Sequence, residues 1–404
     1  MIHKIPITEL KVGMYVHDVN CSWRIKPNFT VRYKITEDDQ VEKIRELGTQ
    51  EVYIDTNLGD DLPGSPTEDE ARRKLEEEMQ RLADRDEVPM QHRLANRKEL
   101  ADALTVHDSA SRLVRTMMGD VRLGRQIEFD AVAESLQGIT QTMLGNFGTM
   151  IQLGQLKTKD DYTFQHSVGV CSLLTAFCKI VKFNRRTTAD VGIGALLHDI
   201  GKMRVPPQIL NKPGRLTDGE FDEIRQHVAY GRDILAEAPW VSPTAFNVMD
   251  HHHERYDGTG YPIGLKGGEI SHVGQMAAIV DVYDAITAER VYHQPMTPAE
   301  ALRKLQEWSR FHFNEELVAH FICSLGIYPV RTVVSLESGL VGIVVEQNPA
   351  DLIRPILLVV YDTRQVAALR PYRLDLAKSE SDRILSYEAP EKYGIDVDLC
   401  LADS

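Results

Sequence analysis

Histidine and aspartate crowd three short stretches of this chain: HDIGK at 198–202, HHHERYDGTGYP at 251–262 and DVYDA at 281–285. Imidazole plus carboxylate, with no thiolate among them, is a donor set that suits Fe, Mn, Co, Ni or Zn, and mixed N/O sites of this kind commonly hold two ions. In chain order, His166, His198, Asp199, His227, His252, His253 and Asp281 recur at intervals of about 25 to 32 residues, the separation of successive helices joined by short loops. If His198 and Asp199 lie on a helix they point about 100° apart, so the imidazole can face one ion while the two oxygens of Asp199 bridge both. Lys202 follows Asp199 by three residues, on the same face, and is placed to meet a phosphate. Gly258, Gly260 and Pro262 make DGTGYP a turn whose backbone can pass close to a ligand. A single histidine would carry none of this, since most are core or surface residues. A second pair, His107-Asp108, has no histidine at the right distances and reads as chance placement.

The elements that must position these groups are helical. Residues 160–325 alternate helix-like stretches with Gly- and Pro-bearing turns and show no sustained strand alternation. On either side the texture changes. Residues 1–60 carry IPITEL, GMYVHDV, FTVRYKI and EVYID around a polar helical segment that starts after Thr36 and stops at Gly48, which predicts a small β-rich domain. After residue 327, TVVSLES, GLVGIVVE and RPILLVVYD predict a small β-extension. Between the first two regions, DDLPGSPTEDE reads as a linker and EARRKLEEEMQRLADRDE as a solvated helix with opposite charges at i,i+4. The apolar positions from Leu113 to Leu144 read as bundle core, with the seam of a homodimer as the alternative. The expected division is 1–60, 61–119, 120–326 and 327–404, in an α+β multidomain chain.

With 404 residues, 43% of them hydrophobic, the chain can bury substantial cores. A formal charge of -14 argues against DNA, RNA or anionic membrane surfaces as partners, while leaving room for a small phosphorylated ligand held through metal ions. The five cysteines have no CxxC spacing, so reduced thiols are expected, with Cys171 and Cys178 in the core. No apolar run reaches membrane-spanning length and MIHKIPITEL lacks the apolar stretch of a signal peptide, so a cytoplasmic location is expected.

HDIGK, HHxxxDGxGYP and DVYDA, in this order and spacing, resemble the HD-GYP family of cyclic di-GMP phosphodiesterases, a branch of the HD phosphohydrolase superfamily. The resemblance covers roughly residues 120–325, and the first 60 resemble, more loosely, the short domain found ahead of some HD-GYP domains. It implies an HD-type helical catalytic bundle holding two divalent transition-metal ions, iron or manganese first. His166, His198, Asp199 and Asp281 would hold one ion, and Asp199, His227, His252 and His253 the other. The register of ERYDGTGYP leaves His251 outside the ligand set. The implied reaction is metal-assisted hydrolysis of cyclic di-GMP to linear pGpG, with further cleavage to GMP left open. Asp199 and Lys202 would be the catalytic pair, and Lys202, Gly260, Tyr261, Pro262 and Arg290 would meet the substrate. The GYP turn would also meet partner proteins. Two positions depart from the family pattern: His293 stands where a second basic contact is common, and Tyr162 stands where some members supply a glutamate to a third ion, so two ions are expected. The competing readings are a non-catalytic sensor or docking module, and an HD hydrolase acting on another nucleotide.

Overall fold

The computed structural model describes residues 1–20, 32–45, 50–83, 93–125, 162–212, 214, 216–236, 238–288, 295–309, 311–348, 350–379 and 382–402, with 134, 136, 138–140, 142 and 149. Gly48, Arg290 and His293 fall outside these residues. The chain divides into two compact units, Met1–Glu78 and Met79–Ser404.

In the first unit β1 (Ile2–Pro6), β2 (Tyr15–Asp18), β3 (Tyr33–Lys34) and β4 (Glu51–Asp55) form an antiparallel sheet in the order β1-β4-β2-β3. Helix α1 (Asp38–Arg45) turns Val41 and Ile44, one helical turn apart, onto the core made by Ile5, Val16, Val52 and Ile54. Its start is fixed by the Gln40 side-chain carbonyl, which accepts the N–H of Thr36 at 2.8 Å. The Pro- and Gly-rich stretch that follows β4 is tied down in part. Lys4 N–H donates to Pro66 O at 2.9 Å, and Leu62 packs on the same core. Helix α2 (Glu68–Ala83) opens on a reciprocal cap, in which Thr67 N–H donates to Glu70 at 2.9 Å and Glu70 N–H donates to the Thr67 hydroxyl at 3.2 Å.

The second unit is mainly helical. After α3 (Arg97–Arg122) come α4 (Tyr162–Ile180), α5 (Arg185–Leu197), a 3-10 turn at Ile200–Arg204, α6 (Pro207–Leu210), α7 (Asp218–Arg225), α8 (His227–Leu235) and α9 (Pro243–His251). Then follow α10 (His272–Thr287), α11 (Pro298–Ser309) and α12 (Glu315–Leu325). Helices α4, α5, α9 and α10 pack in a closed circuit, α4 on α5, α5 on α9, α9 on α10 and α10 on α4. Because α4 is buried from His166 to Cys178 and α10 from Met276 to Ile286, neither shows the one-sided stripe of a surface helix, and both are central. Beyond α12, β5 (Val333–Leu336), β6 (Leu340–Glu346), β7 (Ile356–Asp362), β8 (Ala367–Asp375) and β9 (Ile384–Tyr387) form an antiparallel sheet ordered β8-β7-β6-β5-β9, followed by α13 (Val397–Ala402).

The α+β architecture with a helical bundle and small sheets at both ends is as the sequence pattern predicts. Cys171 and Cys178 are buried thiols, and burial pushes both well above their ordinary range. Among the described residues no helix is long and apolar enough to cross a membrane.

Candidate metal centre

The site forms where helices end. The last carbonyls of an α-helix have no partner within it, and three of them here are capped by imidazoles three residues on. His198, at the end of α5, donates from Nδ1 to Ala195 O at 2.7 Å. His227, at the α7–α8 junction, donates from Nδ1 to Ile224 O at 2.7 Å, and His252, at the end of α9, donates from Nδ1 to Met249 O at 2.6 Å. A carbonyl can only accept, so each Nδ1 carries a proton and each Nε2 is turned to the interior, where the neutral ring presents its lone pair.

Asp199 lies just past the helix rather than on it, at the head of the 3-10 turn with φ -102° and ψ 7°. That corrects the expectation of a helical His-Asp pair: the dipeptide straddles a break, and the break swings the carboxylate inward. In a 3-10 turn residues at i and i+3 eclipse, which brings Lys202 onto Asp199, Nζ donating to Oδ2 at 2.5 Å. A Cβ on Gly201 would stand 1.9 Å from His227 O, so only glycine lets the start of α8 rest on this turn.

The expected residues converge as two overlapping groups. Ligand atoms of His166, His198 and Asp199 lie within 4.8 Å of one another, and so do those of Asp199, His227, His252 and His253. Asp199 divides its oxygens between them, Oδ2 standing 3.2 Å from His198 Nε2 and 3.8 Å from His166 Nε2, Oδ1 standing 3.5 Å from His227 Nε2 and 3.9 Å from His252 Nε2. Asp281, from α10, also reaches both, with Oδ1 3.0 Å from His166 Nε2 and Oδ2 3.7 Å from His253 Nδ1. All seven side chains are buried.

These atoms fit a cation better than they fit one another. His227 Nε2 and His252 Nε2 face each other at 3.4 Å, two lone pairs in contact. His198 Nε2 and Asp199 Oδ1 are buried without a hydrogen bond. Orphaned buried acceptors of this kind are costly unless an ion or proton sits among them. Burial holds the His227 imidazole down to about 4 and His252 well below its usual value, so both are neutral and able to ligate at neutral pH. Burial opposes charge on Asp199 and on His198 too, but their attraction for one another, with Lys202, outweighs it: the carboxylate stays ionised and the His198 imidazole is raised above its usual range.

Sequence reasoning missed two residues that shape the site. Asp284 Oδ2 accepts from His166 Nδ1 at 2.6 Å, so His166 is clamped by carboxylates at both ring nitrogens. An orienting carboxylate behind a ligating imidazole is the common arrangement in metal sites. The signal was in DVYDA, where Asp284 sits three residues after Asp281 and on the same helix face. Glu254 is 1% exposed, and its carboxylate accepts the N–H groups of Ile263, Gly264 and Leu265 at 2.9 to 3.2 Å. It thereby holds the turn that contains Gly260, Tyr261 and Pro262. Here too only glycine fits, since a Cβ on Gly260 would approach Arg255 N to 2.4 Å. Tyr261 N–H donates to His253 O at 3.1 Å, and its ring lies 4.5 Å from the His253 ring. His251 faces elsewhere. Its Nδ1 accepts the Ser271 N–H at 3.3 Å and hydroxyl at 2.9 Å, at the cap of α10.

The HD domain family matches residues 148–317, and a domain of unknown function, DUF3391, matches residues 2–132. The chain is 37% identical over 396 residues to cyclic di-GMP phosphodiesterase PA4108 of Pseudomonas aeruginosa, covering 97% of this chain and 94% of that one. A probable cyclic di-GMP phosphodiesterase of Vibrio cholerae is 39% identical over 135 residues, 32% of this chain and 31% of that one. The 3'3'-cGAMP-specific phosphodiesterase 3 of the same organism is 34% identical over 173 residues, 42% of this chain and 37% of that one. The solved structure of Bd1817, an HDG"Y"P protein from Bdellovibrio bacteriovorus, gives a TM-score of 0.47 at 15% identity over 80% of this chain and 98% of that one. The chain belongs to the HD-GYP domain family of HD phosphohydrolases.

Proposed function

We propose that this chain is a metal-dependent phosphodiesterase that hydrolyses cyclic di-GMP to linear pGpG, with two divalent transition-metal ions held side by side through Asp199. The observation that carries the reading is the division of Asp199, one oxygen toward His166 and His198 and the other toward His227 and His252, in a chain 37% identical over nearly its whole length to a named cyclic di-GMP phosphodiesterase. His166, His198, Asp199 and Asp281 would hold one ion, and Asp199, His227, His252 and His253 the other. Bound divalent cations supply Lewis acidity to water and to phosphoryl oxygens. Iron or manganese suits this N/O donor set, as do nickel, cobalt and zinc, and availability decides among them.

The chain's own groups supply the rest. Carbonyls at helix ends fix three imidazoles with Nε2 inward, and Asp284 fixes His166. Lys202 is partly exposed beside the buried Asp199, where its ammonium meets a phosphate arriving from solvent. The turn at Gly260–Pro262, held by Glu254, brings backbone close to the ligand, and Arg290 is assigned a contact with the dinucleotide by its register after Asp281. The same turn offers its exposed Pro262 and Ile263 to a protein partner.

The test is product analysis on metal-loaded protein against cyclic di-GMP, 3'3'-cGAMP and guanosine polyphosphates, with elemental analysis of the same sample. The expected result is release of pGpG from cyclic di-GMP, two ions per chain, and no turnover by Asp199→Ala. Turnover of another nucleotide in preference to cyclic di-GMP sinks the substrate assignment, and binding of cyclic di-GMP without turnover by the metal-loaded chain makes it a sensor.

A further inference from the structure

One cation at the edge of the metal centre has no part in the ligand set. Arg225 closes α7, one turn after Phe221, and its guanidinium lies over two rings, 4.6 Å from the centroid of Phe221 and 5.2 Å from that of Tyr261. The two rings stand edge to face at 6.4 Å. Tyr261 in turn lies against His253, and its ring is 6.4 Å from that of His227. A chain of contacts thus runs from the buried imidazoles through Tyr261 to a half-buried positive charge.

The polar partners of that charge are few among the described residues. Among the described residues the Arg225 Nε–H is buried without a hydrogen bond, and the carboxylate paired with the guanidinium, Asp222 Oδ1, stands 3.6 Å from an Nη, beyond hydrogen-bond distance. A guanidinium is planar, weakly hydrated and charged at every working pH, and stacking on aromatic faces fixes its plane while leaving its N–H edge to point outward. Such a fork matches a phosphate in two parallel hydrogen bonds. The substrate of the reading above carries two phosphodiesters. The cluster around Asp199, with Lys202, accounts for one.

We propose that Arg225 is a substrate-binding residue, its N–H fork clamping the phosphodiester of the cyclic dinucleotide that is not being cleaved, with Phe221 and Tyr261 as the platform that holds the fork in place. The inference rests on the proposed function and deepens it. It also gives Tyr261 a second task, since the ring that touches His253 is the ring on which the arginine lies.

The experiment compares Arg225→Gln and Arg225→Lys with the unaltered full-length, metal-loaded chain on two substrates, cyclic di-GMP with two phosphodiesters and bis(4-nitrophenyl) phosphate with one. Turnover of cyclic di-GMP by the unaltered chain tests the underlying reading first; if another cyclic dinucleotide is the one turned over, that dinucleotide replaces it. For Arg225→Gln the expected result is a KM for the dinucleotide raised at least tenfold with kcat changed less than threefold, and a loss in kcat/KM at least five times larger than on the single diester. Arg225→Lys, which keeps the charge without the fork, falls between. Melting temperature and metal content within error of the unaltered chain confirm an intact site. Equal losses on both substrates, or an unchanged KM for the dinucleotide in a folded, metal-loaded Arg225→Gln, overturn the proposal.

Discussion

The chain contains the dipeptide His-Asp three times, at 17, 107 and 198, and the two copies that lie in the helical unit meet opposite fates. His107-Asp108 lies in the middle of α3, where every backbone carbonyl is engaged in the helix; its ring nitrogen stands 3.8 Å from a carboxylate whose side chain is 65% exposed. His198-Asp199 lies across the end of α5, with both side chains 1% exposed. The difference lies in what surrounds them, a free carbonyl to orient the imidazole, a 3-10 turn to swing the carboxylate inward, and three other elements that deliver nitrogen to the same point. A dipeptide becomes a site when the backbone at that position can aim it.

The sharpest way to break this comparison is to remove the shared carboxylate. Asp199→Ala is expected to lose both ions, read by elemental analysis, and all measurable hydrolysis, because each half of the cluster leans on one of its oxygens. Next in size is Asp284→Asn, which turns the acceptor behind His166 into a group that can present an amide to it. It is expected to lower metal affinity or kcat/KM about 10- to 100-fold, measured by metal titration and steady-state kinetics. Glu254→Gln leaves part of a buried set of N–H donors without an acceptor and should cost about 1–3 kcal/mol in denaturant unfolding, with KM raised more than kcat falls. His251→Ala should cost about 1 kcal/mol while leaving two ions per chain, which separates it from its neighbours His252 and His253. At the small end, Asp108→Ala should stay within about 0.5 kcal/mol in stability, with activity unchanged. A loss of metal there would erase the contrast between the two pairs.

Much of this was legible in the residues themselves. HDIGK, HHHERYDGTGYP and DVYDA carry their chemistry in residue type and local spacing, and the change from helical to alternating patterns marks the bundle and both sheets. What stayed hidden depends on tertiary pairing. Asp284 means nothing until α4 and α10 pack, since its partner is 118 residues away. Glu254 reads as a surface charge in HHHER, and only the folded turn shows three N–H groups pointing at it. The break before Asp199 was invisible because Ile200, Gly201 and Lys202 can continue a helix, and it is the seating of α8 on Gly201 that decides the 3-10 path. Arg225 looks like any helix-ending base until Tyr261 arrives beneath it.

The fastening of His198, His227 and His252 to main-chain oxygens has a consequence for assembly. Rings secured in this way need no rotamer search when an ion arrives, so the cage is laid down by folding itself and filling it orders little more of the protein. Chelation should accordingly leave the secondary structure standing, and selection among iron, manganese and their neighbours falls to the rigid distances between helix ends, with little left for the side chains to adjust.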